Sequence, residues 1–297
     1  MNALIKVGFC VAYDWEMLRK SLPLIYDHAD QICLSLDINR KSWSGQSYLF
    51  DDHAFHAFLK QTDTQKKIDL YEDDFFVRSL SPIENDNRQR KLMSDRMGAG
   101  GWHIQIDSDE YFLNFKGFVN FLKSKTHYLN GKPVNICCPW VSIYKRVSDG
   151  YLIVDNAETT WETMPFATNK PEYFNARRNS HFNAISTFFV VHETWSRSSE
   201  ELKQKLNSWG HNDDFLSKES YLKFWEAIDK FNYQFVDDFH PLQSGVWKKL
   251  MYVKANSIDE LLSIIKTDYL FKINKASLYL KNSRNWNRLL SLWQKRF

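Results

Sequence analysis

Short apolar segments alternate with longer helix-like segments along the first third of the chain, and this order constrains the fold most. Runs typical of buried strands occur at Leu4–Ala12, Gln31–Leu36, Lys67–Tyr71 and Trp102–Ile106. Helical spacing or a polar helical composition occurs between them, at Glu16–Ala29, Asp51–Leu59 and Asn85–Met97. The alternation predicts an α/β fold with a doubly wound, mostly parallel sheet and helices on both faces.

Acidic residues follow three of these strands. Asp14, Asp37 and Asp107 each come just after a strand-like run. In doubly wound sheets, ligands bind beyond the carboxyl ends of the strands. These three side chains are therefore candidates for one shared site.

The densest acidic cluster is Asp107-Ser108-Asp109-Glu110, directly after the fourth strand. Burying three carboxylates without partners would be strongly unfavourable. Mg²⁺ and Mn²⁺ prefer oxygen ligands, and they could neutralise charge on a departing diphosphate. We therefore predict a divalent cation (Mn²⁺ or Mg²⁺) at Asp107 and Asp109. A solvated acidic turn is the alternative.

The segment NRQRKLMSDRMGAGGWHIQIDSDEYF resembles the region around the DxD motif of family-2-like glycosyltransferases with the GT-A fold. There, a basic helix, a glycine-containing turn and a strand precede Asp-x-Asp-Glu. The resemblance covers most of residues 1–215, and its specific part is this stretch, with a weaker one near His192. It implies transfer of a sugar from a nucleotide-diphosphate sugar to a glycan acceptor, in bacterial surface polysaccharide synthesis.

The resemblance also implies roles for individual carboxylates. Asp109 corresponds to the direct metal ligand, and Asp107 lies nearer the donor ribose. Asp14 and Asp37 correspond to positions that contact the nucleotide base and ribose. His192, after the strand-like run Ile185–Val191, corresponds to a residue that completes the metal shell, although a structural histidine is the alternative.

Basic residues supply further candidate donor contacts. Arg88 and Arg96 lie on the helix before the DxD motif, where the family often faces a basic residue to the donor. Arginine suits this role because its planar fork binds phosphate bidentately. The loop ATNKPEYFNARRNSHF, with Lys170, Arg177, Arg178 and His181, could close over the diphosphate. Solvated surfaces are the alternatives for both segments.

An inverting transferase needs a carboxylate that removes a proton from the acceptor hydroxyl. Asp213 and Asp214 rank ahead of Glu193 as candidates, and Glu158 and Glu162 are further ones. The family's usual Glu-Asp pair is not evident in this sequence. The identity of the base is therefore not assigned, and the reaction could proceed with inversion or with retention of the anomeric configuration.

Residues 1–240 are predicted to form the catalytic domain, with a nucleotide-sugar-binding half (1–115) and an acceptor half (116–240). Residues 241–297 are predicted to form a basic, aromatic-rich, helical C-terminal region. From Trp247 to Phe297 the sequence has eleven Lys or Arg against three Asp or Glu. A basic amphipathic helix can contact an anionic membrane surface, which would suit a lipid-linked glycan acceptor. Packing onto the catalytic domain is the alternative.

Location and other partners follow from simple patterns. The four cysteines have neither disulfide-framework nor zinc-finger spacing, and Met1–Val11 lacks the features of a signal peptide. We expect a cytoplasmic protein, peripheral at the inner membrane face if the C-terminal region binds lipid. The net charge of +3, without a basic stripe in the first 246 residues, disfavours nucleic acid as a partner.

Two other functions remain to be distinguished. A sugar nucleotidyltransferase would normally have a glycine-rich basic loop after the first strand, but the sequence there is CVAYDWEML. A non-catalytic glycan-binding module could use the many aromatic residues (11 Trp, 14 Tyr and 22 Phe). It would not need the acidic cluster.

Overall fold

The structure is a computed structural model that describes residues 3–156, 161–270 and 273–282. Its N-terminal third contains four parallel strands, β1 (Ile5–Val11), β2 (Gln31–Asp37), β3 (Ile68–Asp73) and β4 (Trp102–Asp107). They lie in the order β3-β2-β1-β4. The connections contain α1 (Leu18–Tyr26), α2 (Asp52–Thr62) and α3 (Pro82–Arg96). The predicted α/β fold with a parallel central sheet is confirmed.

The second half extends this sheet with antiparallel strands. After β5 (Glu110–Phe112) and α4 (Phe115–Ser124), the chain forms β6 (Val134–Val147), β7 (Gly150–Val154) and β8 (Thr163–Thr168). Strand β8 lies antiparallel between β4 and β6, and β6 pairs antiparallel with β7. The short strands β9 (Phe182–Ile185) and β10 (Val190–His192) both pair parallel with β6. The predicted strand at 185–191 is thus interrupted.

The C-terminal part of the chain packs onto this second half. It contains α5 (Ser199–Ser208), α6 (Lys218–Ala227), β11 (Leu250–Lys254), α7 (Ile258–Ile264) and α8 (Lys275–Asn282). Strand β11 differs from the prediction of helices after residue 240, because its backbone pairs antiparallel with β7. The predicted membrane contact depends on basic residues of the C-terminal region. Several of them lie outside the described residues, including Arg284, Arg288, Lys295 and Arg296. Among the residues that the structure describes, none of the helices has the length and hydrophobicity of a membrane span.

Side chains along β4 point alternately to the two faces of the parallel strands, and helices pack on both faces. Trp102, Ile104 and Ile106 join the main hydrophobic core with α1, α2 and α4. His103, Gln105 and Asp107 point to the other face, where α3 packs. Gly8 of β1 lets α3 approach closely, since a Cβ atom there would lie 2.7 Å from Met93 Cε.

The free energy of unfolding should fall at low pH partly because of His103, which lies on this second face. Burial, with a smaller effect of Lys6, lowers the pKa of His103 to about 4 from an ordinary 6.5. The unfolded chain therefore binds the proton first as pH falls, so this stabilisation is present above pH 6.5 and lost towards pH 4.

Between pH 7 and pH 5, wild type should lose about 2 kcal/mol more unfolding free energy than His103→Asn. Urea denaturation at both pH values measures the difference. Equal losses in the two proteins would contradict the assignment.

Candidate functional site

A cavity of about 390 Å³ lies at the carboxyl ends of β1, β2 and β4, and the second half of the chain forms its opposite wall. The parallel strands contribute Asp14, Asp37, Asp107 and Asp109 through their ends and following loops. The opposite wall includes His192, Glu162, Asp214 and several indole rings. The cavity therefore joins the two halves that the sequence analysis assigned to donor and acceptor.

The acidic turn, residues 107–110, forms the floor of this cavity. Asp107 ends β4, and the turn leads directly into β5, which pairs with β10. That pairing sets His192 opposite Glu110 and brings its Nε2 within 3.5 Å of Asp109 Oδ1. Asp109 and Glu110 are almost fully buried. The turn therefore belongs to the protein interior and is not a solvated surface turn.

Two buried arginines neutralise the β4 side of the acidic turn. Arg90 of α3 donates to Asp107 Oδ1 at 2.9 Å and to Asp86 Oδ1 at 2.6 Å. Arg177 makes a bidentate pair with Glu110, with distances of 2.7 and 2.5 Å. Its Nη2 also lies 3.7 Å from Asp107 Oδ2. Although burial raises it, these arginines leave the pKa of Asp107 below its usual value.

Two more cations hold Asp109. Arg197 Nη2 donates to Asp109 Oδ2 at 2.7 Å and bridges to Asp14 Oδ2 at 3.0 Å. Lys205 Nζ donates to the same Asp109 oxygen at 2.8 Å. Burial alone would raise the pKa of Asp109, but Lys205, His192 and Arg197 hold it well below its usual range.

Helix α5 positions both of these cations. Its N-terminus is fixed by the capping box predicted from the sequence: Ser198 Oγ accepts from the Glu201 amide, and Glu201 accepts from the Ser198 amide. Arg197 precedes the cap, and Lys205 lies two turns into the helix. Lys205 shares the buried face with Leu202 and Leu206, which carries its ammonium group towards the acidic turn.

These contacts do not fit a bound divalent cation. Asp109 Oδ2 is bonded to Arg197 and Lys205, and Asp107 Oδ1 is bonded to Arg90, so a metal ion at these oxygens would have to displace buried cations. Within residues 3–156, 161–270 and 273–282, no three His, Cys, Asp or Glu side chains are grouped so as to hold a metal ion. The metal at Asp107, Asp109 and His192 stays a prediction.

Other predicted residues also line the cavity. Asp37 is buried, and its carboxylate accepts four backbone N–H groups, those of Asn39, Lys41, Phe75 and Phe76. It thereby fixes the loops after β2 and β3. Asp214 lies at the cavity mouth, more than half exposed, and bonds to His211 Nδ1 at 2.7 Å.

Six predicted residues do not line the cavity: three cations, two carboxylates and His181, whose Nε2 lies 3.0 Å from Glu172 Oε2. Arg88 donates to the carbonyls of Asp74 and Phe75, and Arg96 forms an exposed pair with Asp69 on β3. Lys170 pairs with Glu172 at 2.7 Å and is more than half exposed.

The remaining two are carboxylates. Asp213 is exposed, and Glu193 is turned away to accept from Tyr111 Oη at 2.7 Å. Local bonding thus draws these side chains away from the cavity, so their predicted roles have no geometric support here. A further candidate base, Glu158, lies outside the described residues.

The aromatic wall of the cavity was not predicted residue by residue. Its indole rings belong to Trp140, Trp195, Trp209 and Trp247, and Trp43 lines the cavity from the strand side. Trp140 lies against His192, with ring centroids 4.5 Å apart. Trp247 donates from Nε1 to Glu162 Oε2 at 2.6 Å. Burial raises the pKa of this Glu162 carboxyl above its usual value.

Two buried polar atoms beside the cavity have no hydrogen-bond partner among the described residues: Ser108 Oγ and Trp140 Nε1. Buried polar groups are nearly always hydrogen-bonded in folded proteins. Both residues line the cavity, but these two atoms have almost no accessible surface, so a ligand in the cavity would not contact them without a shift of the wall.

No protein-family model and no curated protein matches this chain. Among solved structures, 4-diphosphocytidyl-2C-methyl-D-erythritol synthase is similar at a TM-score of 0.31 and 11% identity, over 59% of this chain and 76% of that one. Mannose-1-phosphate geranyltransferase from Thermus thermophilus is similar at a TM-score of 0.26 and 9% identity, over 92% and 80% of the two chains. Likenesses this distant carry no argument about function.

Proposed function

We propose that the protein is a glycosyltransferase that takes a sugar from a nucleotide-diphosphate sugar. The observation that carries the proposal is the cavity itself. It joins the carboxyl ends of parallel strands, where nucleotides bind in such sheets, to a wall of indole rings. The faces of aromatic rings pack well against the C–H faces of sugars.

The donor nucleotide is assigned to the strand side of the cavity, beside Asp14, Asp37 and Trp43. The sugar and the acceptor are assigned to the opposite side, between Trp140 and Trp247. The acceptor is proposed to be a glycan, free or lipid-linked, and membrane contact through the C-terminal region stays a prediction.

Glu162 is the proposed base. Its side chain is partly buried at the cavity wall, and Trp247 fixes its orientation. The acceptor hydroxyl oxygen would attack the anomeric carbon while Glu162 takes the hydroxyl proton. The bond from that carbon to the diphosphate oxygen breaks, and the nucleoside diphosphate leaves with the electron pair. Asp214, which is exposed and already paired with His211, is the second candidate.

A panel of nucleotide-sugars in a thermal-shift assay tests the proposal. At least one donor should raise the melting temperature through the coupling of binding to stability. That donor should then lose its sugar when a glycan acceptor is added, which mass spectrometry of the products detects. If no nucleotide-sugar raises the melting temperature, with or without Mn²⁺, the proposed function is wrong.

A further inference from the structure

We propose that Arg178 binds the donor diphosphate and that this binding requires no divalent cation. The inference rests on the proposed function and adds to it how the leaving group is neutralised. Around the cavity, most of the cations that the structure describes are already paired with carboxylates.

The acidic turn has little capacity left for an added cation. Asp109 Oδ2 accepts from both Arg197 and Lys205, and its other oxygen faces His192. Both oxygens of Glu110 accept from Arg177. Recruiting a metal ion to Asp109 or Glu110 would require these buried cations to separate from their partners, which is strongly unfavourable.

Arg178 differs from these cations. It lines the cavity and is exposed, and it forms no ion pair or side-chain hydrogen bond with any residue that the structure describes, although its charge favours the ionised form of Glu162. Lys41 also lines the cavity without a carboxylate partner among those residues, but its ammonium group bonds to Ser47 Oγ at 2.8 Å. The guanidinium of Arg178 is therefore the better-placed free cation for an anionic ligand.

A tight backbone turn fixes the position of Arg178 at the cavity. The turn at residues 174–178 closes through hydrogen bonds from the Arg178 amide to the Asn175 carbonyl, and from the Phe174 and Asn175 amides to the Arg178 carbonyl. Ala176 has a φ of 51°, a left-handed value that sharpens the turn. As a result, the side chain of Arg177 pairs with Glu110 of the acidic turn, and the side chain of its neighbour Arg178 lines the cavity.

The chemistry of the two groups is complementary. A guanidinium presents a planar fork that binds phosphate oxygens through two parallel hydrogen bonds. Because Arg178 forms no ion pair with any carboxylate that the structure describes, it can neutralise a diphosphate without breaking such a pair. A fixed cation of this kind also stabilises charge that develops on a leaving group.

Calorimetric titration with UDP, GDP, CDP and dTDP, in EDTA and in Mn²⁺, tests the inference. The nucleotide that binds should have a dissociation constant in EDTA within about threefold of its value in Mn²⁺. Arg178→Ala should weaken binding by about tenfold or more, as expected for loss of a charged hydrogen bond. Arg178→Lys should restore part of the affinity, because it returns the charge without the fork.

Lys170→Ala is the matched control, since it removes a cation of the same loop that is paired with Glu172 outside the cavity. It should bind like wild type. Binding that occurs only with Mn²⁺, or an Arg178→Ala protein with unchanged affinity, would overturn the inference and leave the proposed function standing. If no nucleoside diphosphate or nucleotide-sugar binds under either condition, the proposed function itself fails.

Discussion

Asp109→Ala should lower the free energy of unfolding by about 3–5 kcal/mol, the range expected when one partner of a buried ion pair is removed. The reason is that Arg197 and Lys205 both donate to Asp109 Oδ2, and both are buried. Without the carboxylate, two cations would remain in the interior with less compensation. Among the carboxylates that the structure describes, Arg197 would keep Asp14 alone as an ion-pair partner.

The same variant should lose donor binding, because the floor of the cavity would rearrange around the freed cations. Urea denaturation measures the stability, and calorimetry with the donor measures the binding. Asp213→Ala is the control, since Asp213 is exposed and should change stability by less than about 0.5 kcal/mol. An Asp109→Ala protein as stable as this control would show that the acidic turn is not a buried charge centre.

Glu162→Gln should reduce the turnover rate by about 10²–10⁴-fold, the usual contribution of a general base. The amide keeps the shape of the side chain and can still accept from Trp247 Nε1, so donor affinity should stay within about threefold of wild type. Steady-state kinetics and calorimetry on the same preparation separate the two quantities.

The pH profile gives a second readout for Glu162. A base must be ionised, so the rate should fall as pH drops through the pKa of Glu162, which burial raises above its usual value. Glu162→Gln should lack this acidic limb. Asp214→Asn should reduce turnover less than tenfold, and the reverse ranking of the two variants would assign the base to Asp214.

The fold was predictable because its signals are local. Apolar runs in β1, β2 and β4 and the capping pattern at Ser198 and Glu201 depend on neighbours within a few residues. The C-terminal strand β11 was not predictable in this way. Its pairing with β7 joins residues about a hundred positions apart, and only that pairing makes it a strand.

Within the site, the strand-end carboxylates were predictable but their partners were not. The chain separations are 88 residues for Arg197 and 96 for Lys205 from Asp109. Helix α3 illustrates a second difficulty. Its sequence is polar on all sides, so no apolar stripe indicates that Arg90 faces the sheet while Arg96 faces outward.

A crystal structure with the donor that most raises the melting temperature tests the account most directly. We predict nucleotide density beside Asp14 and Asp37, with the diphosphate next to the acidic turn and within hydrogen-bond distance of Arg178. The sugar should lie towards Trp140 and Glu162. Donor bound elsewhere on the surface, with this cavity filled only by water, would contradict the account.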